Sequence, residues 1–140
     1  MSAPVVLLDT DVASAVYKKR ELPILNALLG YEPCISFATS GEMSKWAVVR
    51  SWAPHNRAQL RSWLSAVPTI HSNDAVCEVW GMLSADGHVR GRHRPQNDTW
   101  VAAVALAHGL PLATLNVKDY ADIEANHGLR LIRPRAGETW

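Results

Sequence analysis

Asn97-Asp-Thr-Trp-Val-Ala-Ala-Val-Ala-Leu-Ala-His-Gly-Leu-Pro-Leu-Ala-Thr-Leu-Asn-Val-Lys-Asp119 contains a complete helix-to-strand unit. Trp100 to Leu106 is an apolar run at the start of a helix that Gly109 and Pro111 stop. Leu112-Ala-Thr-Leu115 is too short and too apolar for anything but a buried strand. The unit opens at one carboxylate, Asp98, and closes at another, Asp119. Alone, Asp98 reads as a helix cap or first-turn acid, stabilised by unpaired N–H groups and the positive dipole end. In an open α/β sheet, however, residues just past the carboxyl ends of strands collect along one edge, where such sheets keep their sites. Asn116 and Asp119 lie on that edge, and Asp98 reaches it if its helix N-terminus points there.

Working outward, the same pattern recurs. Val5-Val-Leu-Leu8 is a continuous apolar run, the mark of a strand buried on both faces, and it ends at Asp9-Thr-Asp11. Asp11 could cap the helix that follows to Tyr17, and Pro23 opens a second helix ending before Gly30. Cys34-Ile-Ser-Phe-Ala38 reads as the second strand and leads to Thr39-Ser-Gly-Glu42 at a helix start, where the spacing also fits a capping box. A helix from His55 to Val67 and a short strand at Thr69-Ile-His71 come next, then a helix capped by Asn73 and ended near Gly87. Trp63 and Trp80 read as packing residues; a tryptophan exposed beside the acidic edge would be the exception. The charged stretch from His88 to Gln96 carries Arg90, Arg92 and Arg94 directly before Asp98, and its position favours contact with phosphate over an ordinary solvated loop. Leu129-Arg-Leu-Ile132 reads as a last strand. Five strands interleaved with helices predict an α/β fold with a mainly parallel five-stranded sheet flanked by helices.

Composition bounds the function classes. The chain has 140 residues, 48% hydrophobic and 19% charged, which predicts one globular domain spanning residues 1–140. A formal net charge of +1 neither demands nor forbids nucleic acid, although ten arginines against four lysines favours planar contacts to phosphate. Cys34 and Cys77 lack metal-ligand spacing and read as buried small hydrophobes in a reducing cytoplasm. No export signal or membrane-spanning run is expected. His55, His71, His108 and His127 have no spacing that suggests zinc.

Asp9, Glu42, Asp98, Asn116 and Asp119 can therefore converge on one sheet edge. Carboxylates gathered there repel and raise each other's pKa, so a shared site requires a compensating cation. Hard oxygen ligands open to phosphate select Mg²⁺ or Mn²⁺, which can activate water for attack on phosphorus.

Leu7-Leu-Asp-Thr-Asp-Val12, the Ser40-Gly-Glu42 helix start, Asn97-Asp-Thr-Trp-Val-Ala-Ala103 and Gly109 to Tyr120 with Ile123 together resemble PIN-domain ribonucleases. More narrowly they resemble the VapC toxins of bacterial type II toxin–antitoxin pairs. The resemblance covers nearly the whole chain and is weakest between residues 50 and 90. It implies a three-layer PIN-like sandwich, with Asp9, Glu42 and Asp98 as the metal-binding core. A fourth family acid falls at Asn116, which binds through its carbonyl or through water unless Asp119 supplies the charge. Thr10 and Thr114 become orienting hydroxyls, and Asp11 holds the edge together or adds charge behind the ligands. The resemblance further implies Mg²⁺- or Mn²⁺-dependent cleavage of structured RNA, usually tRNA or rRNA loops, a homodimer, and a VapB-like antitoxin whose tail fills the groove.

Two other readings remain open. Asp9-Thr-Asp11-Val12 after an apolar strand also fits the nucleophile motif of haloacid dehalogenase-like phosphatases, with Asp9 phosphorylated and Asp11 as acid and base. A non-catalytic PIN-like module that binds RNA or a partner would follow if Asn116 marks a lost ligand.

Overall fold

The computed structural model describes residues 2–134, 137 and 139–140. Eleven elements follow in order: β1 (Val5–Leu8), α1 (Thr10–Tyr17), α2 (Pro23–Ala27), β2 (Glu32–Ser36), α3 (Phe37–Val49), α4 (Pro54–Ala66), β3 (Thr69–Ile70), α5 (Asp74–Val89), α6 (Gln96–His108), β4 (Leu112–Ala113) and α7 (Val117–His127). The four strands form one sheet in the order β3-β2-β1-β4, and every pairing is parallel. From β1 the chain builds outward through β2 to β3, then crosses to the other side for β4. That reversal makes the gap between β1 and β4 the topological switch point.

Period-2 alternation along the strands divides the core between two faces. Leu7, Cys34 and Leu112 pack with Val76 and Leu83 of α5, the apolar run of α6, and Tyr120 and Ile123 of α7. Val6, Leu8, Ile35 and Ala113 pack on the other side with Val12 and Ala13 of α1, Ile24 of α2, Met43 and Ala47 of α3, and Leu60 of α4. The result is the expected three-layer arrangement. Trp63 packs edge-on against Tyr17, and Trp80 stacks on Trp100 at 4.8 Å between centroids, so both tryptophans are packing residues.

The sheet has four strands, not five. Leu129 to Ile132 touches β4 through a single parallel bridge, Leu112 with Leu131, with hydrogen bonds from Leu112 N to Arg130 O and from Ile132 N to Leu112 O, both 2.9 Å. The next N–H that this segment would donate to β4 belongs to residue 134, which is proline and has none. Cys34 is buried as expected, but Cys77 is exposed because it falls on the outer face of α5.

Candidate active site

Pairing of β1 with β4 sets Leu8 opposite Ala113, so Asp9 and Thr114 leave the sheet side by side. Thr114 Oγ1 donates to Asp9 Oδ2 at 2.8 Å and Thr10 N donates to Oδ1 at 2.9 Å. Both carboxylate oxygens are thus held, and Asp9 is only 6% exposed. Burial raises its pKa, opposed by the bonds from Thr114, Thr10 and Tyr120, while the charge of Glu42 raises it further.

The helix that carries Glu42 starts earlier than its sequence suggests. Ser36 is the cap, accepting from Thr39 N at 3.2 Å, so Glu42 lies in the second turn and the capping-box reading fails. Its Oε2 instead accepts from Thr10 Oγ1 at 2.9 Å, and that hydroxyl lies 3.0 Å from Thr39 Oγ1. Asp9 similarly takes the α1 capping position expected of Asp11. Asp11, freed from capping, accepts from Val12 N at 2.7 Å and, through Oδ2, from Leu115 N and Asn116 Nδ2, each at 3.0 Å. It clips the loop after β4 to the start of α1.

Asp98 sits in the first turn of α6, whose N-terminus does reach the edge. The buried Tyr120 hydroxyl donates to Asp98 Oδ1 at 3.3 Å. Burial, then the charges of Asp9 and Asp119, push Asp98 up to about 6, and the charge of Glu42 adds to this against the Tyr120 bond. Asp11 is also raised to about 6, by burial and then by Asp9. Burial and the charges of Asp9 and Asp98 hold the Tyr120 phenol protonated far above its ordinary range. Spacing alone marks neither Tyr120 nor Thr39 as a site residue. A tyrosine on the α7 face that meets the core was the available signal, because a buried phenol needs a partner.

Asp9, Thr10, Asp11, Glu42, Asp98 and Asn116 line a cavity of about 280 Å³. Asp119 is exposed on the first turn of α7 and does not line it; its charge acts on Asp98 from outside. The arginine loop also falls outside the cavity lining. Arg94 is half-buried, donating to Leu83 O, to Asp86 and to Asp122, and Arg90 pairs with Asp86 and Asp122. Both guanidiniums are engaged by Asp86 and Asp122, away from the cavity, and Arg92 is exposed. The cations that do line the cavity are Lys18 and Arg50, beside Trp46, which is 37% exposed. Trp52 also lines the cavity but is half-buried against Tyr17, so Trp46 is the exposed tryptophan at the acidic edge.

Among the described residues, no three His, Cys, Asp or Glu side chains converge into a ready-made metal cage. The donor set nevertheless fits a hard divalent cation. Three desolvated aspartates with raised pKa values and a glutamate share one pocket, and none of them is ion-paired to a cation among the described residues. Mg²⁺ suits such an open site because it keeps several waters and takes one or two carboxylates.

The parallel sheet, its two helical layers and the acidic pocket at the switch point define the PIN-domain class. The chain is 30% identical to "Ribonuclease VapC4" of Mycobacterium tuberculosis over 118 residues, covering 82% of this chain and 88% of the relative. It superposes on VapBC-1 from nontypeable Haemophilus influenzae with a TM-score of 0.76 at 24% identity, covering 91% and 96% of the two chains. VapBC-5 from Mycobacterium tuberculosis, a member of a family of toxin-antitoxin systems, gives a TM-score of 0.67 at 25% identity over 93% and 98%. No family model matches the sequence. By its similarity to VapC4, the chain belongs to the VapC ribonuclease family.

Proposed function

We propose that this chain is the toxin of a type II toxin–antitoxin pair, a Mg²⁺- or Mn²⁺-dependent endoribonuclease that cuts structured RNA such as tRNA or rRNA loops in the cytoplasm. The observation that carries the reading is the gathering of Asp9, Glu42 and Asp98 in one cavity at the switch point with no cation paired to them among the described residues. Membership of the VapC family supports the ribonuclease chemistry, and the toxin–antitoxin complexes of similar fold support a VapB-like antitoxin as partner. A homodimer and a single catalytic unit over residues 1–140 complete the proposal.

Asp9, Asp98 and Glu42 would hold the metal, with the Asn116 carbonyl at the cavity mouth. The bound ion would supply an activated water and neutralise charge on the phosphodiester. Thr114 and the Thr10 amide fix the orientation of Asp9, the Thr10 hydroxyl fixes Glu42, and the Tyr120 phenol fixes Asp98. Such supporting bonds keep the ligand geometry ready for the ion. The phosphatase alternative needs Asp11 as a free acid and base, yet its carboxylate is occupied by Val12, Leu115 and Asn116 donors. No helix among the described residues is long and apolar enough to cross a membrane.

The test is cleavage of total bacterial RNA by the purified, antitoxin-free chain with Mg²⁺ or Mn²⁺, mapping new 5′ ends, with Asp98→Asn alongside. Discrete cuts are expected only from the unsubstituted protein with metal present. An equally active, folded Asp98→Asn variant would sink the assignment; RNA retained but never cut would favour the binding-module reading.

A further inference from the structure

The same cavity also carries a different chemistry. Glu42 and Trp46 are four residues apart on α3, and Arg50 follows four residues later, so all three share one helix face. The Arg50 guanidinium lies over the Trp46 ring at 4.9 Å from its centroid, with the Lys45 ammonium at 5.3 Å. Lys18, on the same lining, feels Arg50 directly: burial, then the charges of Arg20 and Arg50, lower its pKa. None of Lys18, Lys45 and Arg50 is ion-paired among the described residues, although an acidic cluster lines the same cavity. Asp86 and Asp122 pair with Arg90 and Arg94 instead.

An exposed indole next to uncompensated cations is matched by a ligand that combines a flat π-face with an anion. An unpaired nucleotide is such a ligand, since its base stacks on aromatic or guanidinium planes and its phosphate takes Arg and Lys donors. A base held in a duplex presents no free face. A cavity of about 280 Å³ is at the small end for a ligand pocket and accommodates a single nucleotide-sized group, not a helix.

We propose that Trp46 and Arg50 form a nucleotide subsite that takes one unpaired residue of single-stranded RNA beside the bond to be cut, the base stacking on Trp46 and its phosphate bound by Arg50. The subsite deepens the ribonuclease reading and rests on it for the adjacent cleavage. It makes Trp46 a specificity and positioning residue that selects loops over duplexes, one helical turn from Glu42.

The experiment measures binding of a fluorescein-labelled, mixed-sequence single-stranded RNA decamer, and of the same length of duplex, to the full chain by fluorescence anisotropy. An Asp98→Asn background with Mg²⁺ prevents cutting. Trp46→Leu is expected to weaken single-strand binding about 10- to 100-fold, as loss of one stacked base does. Trp46→Tyr should restore most of it, and duplex binding should not respond. Arg50→Gln should lower the salt slope of binding by about 0.7, the value of one phosphate contact, whereas Trp46→Leu should leave the slope unchanged. Circular dichroism verifies that each variant is folded. Single-strand binding unchanged by Trp46→Leu, or restored no better by tyrosine than by leucine, overturns the subsite, the latter pointing to apolar docking of a protein segment. Absence of any single-strand binding overturns it too. Because the assay reads binding, failure of the unsubstituted chain to cut RNA would defeat the ribonuclease reading and leave the subsite to stand or fall on its own data.

Discussion

Asp98 illustrates the conflict between stability and function that an acidic site creates. Its carboxylate has a folded pKa of about 6, above its ordinary value of 3.8, so the folded chain binds this proton more tightly than the unfolded chain. The stabilisation that follows is complete below the unfolded value and is lost as pH rises through about 6. At neutral pH the charged form therefore works against folding. Asp98→Asn should raise stability at pH 7 by about 1 kcal/mol, roughly 3 °C, once solvent screening of this half-exposed group is discounted. Thermal melts at pH 4 and pH 7 check this: the gain should shrink at the lower pH while RNA cleavage stays abolished at both. The Asn side chain retains an oxygen for the Tyr120 hydroxyl, so the substitution removes charge without orphaning that donor.

At the scale of elements, α5 and the loop behind it deliver α6 and hence Asp98. Gly87 permits the loop to close on α5, because a Cβ there would lie 2.6 Å from the backbone oxygen of Arg92 and 3.2 Å from Nη1 of Arg94. Helix propensity favours Ala over Gly by about 1 kcal/mol, but a clash with backbone costs about 1–3 kcal/mol and wins. Gly87→Ala should destabilise by about 1 kcal/mol or more, whereas Gly81→Ala on the same helix, with nothing within 4 Å, should stabilise by about 0.5–1 kcal/mol. Denaturant melts of the two variants should move in opposite directions. The same loop is tied by Asp86, which accepts from His127 at 2.9 Å, Arg90 at 3.0 Å and Arg94 at 3.2 Å. His127, then Arg94 and Arg90, hold its carboxyl down at about 2, against a burial effect of opposite sign. This contribution is present above the ordinary carboxylate value of 3.8 and is lost as pH falls through about 2. Asp86→Asn should lower the melting temperature at pH 7 and flatten its acid limb between pH 4 and 2.

Across the whole molecule, the acids come from three regions of the chain, so a cation bound among them should stabilise the fold as a unit. Ligand binding to the folded state contributes about 2.7 kcal/mol at a hundredfold excess over Kd, roughly 8 °C for a chain of this size. The melting temperature should rise with Mg²⁺, return on adding a chelator, and respond far less in Asp98→Asn. A melting temperature indifferent to Mg²⁺ and Mn²⁺ would remove the metal from the mechanism.

The alternation of short apolar runs with helices was enough to specify a parallel sheet in three layers, because buried strands and amphipathic helices carry their periods locally. Strand ends at Asp9 and Asn116, and the first-turn acid Asp98, were readable for the same reason. What lay beyond local sequence was every property that depends on pairing at a distance. The fifth strand is reduced to a single bridge, and Pro134 has no N–H with which to extend its pairing to β4. Arg90 and Arg94 pair with Asp86 on α5 and Asp122 on α7, which are far apart in sequence. Asp11 became a clip only because parallel pairing of β1 and β4 brings Leu115 and Asn116 to it. Residue chemistry is local, but which charge meets which, and so which remain free to meet a ligand, is decided by long-range packing.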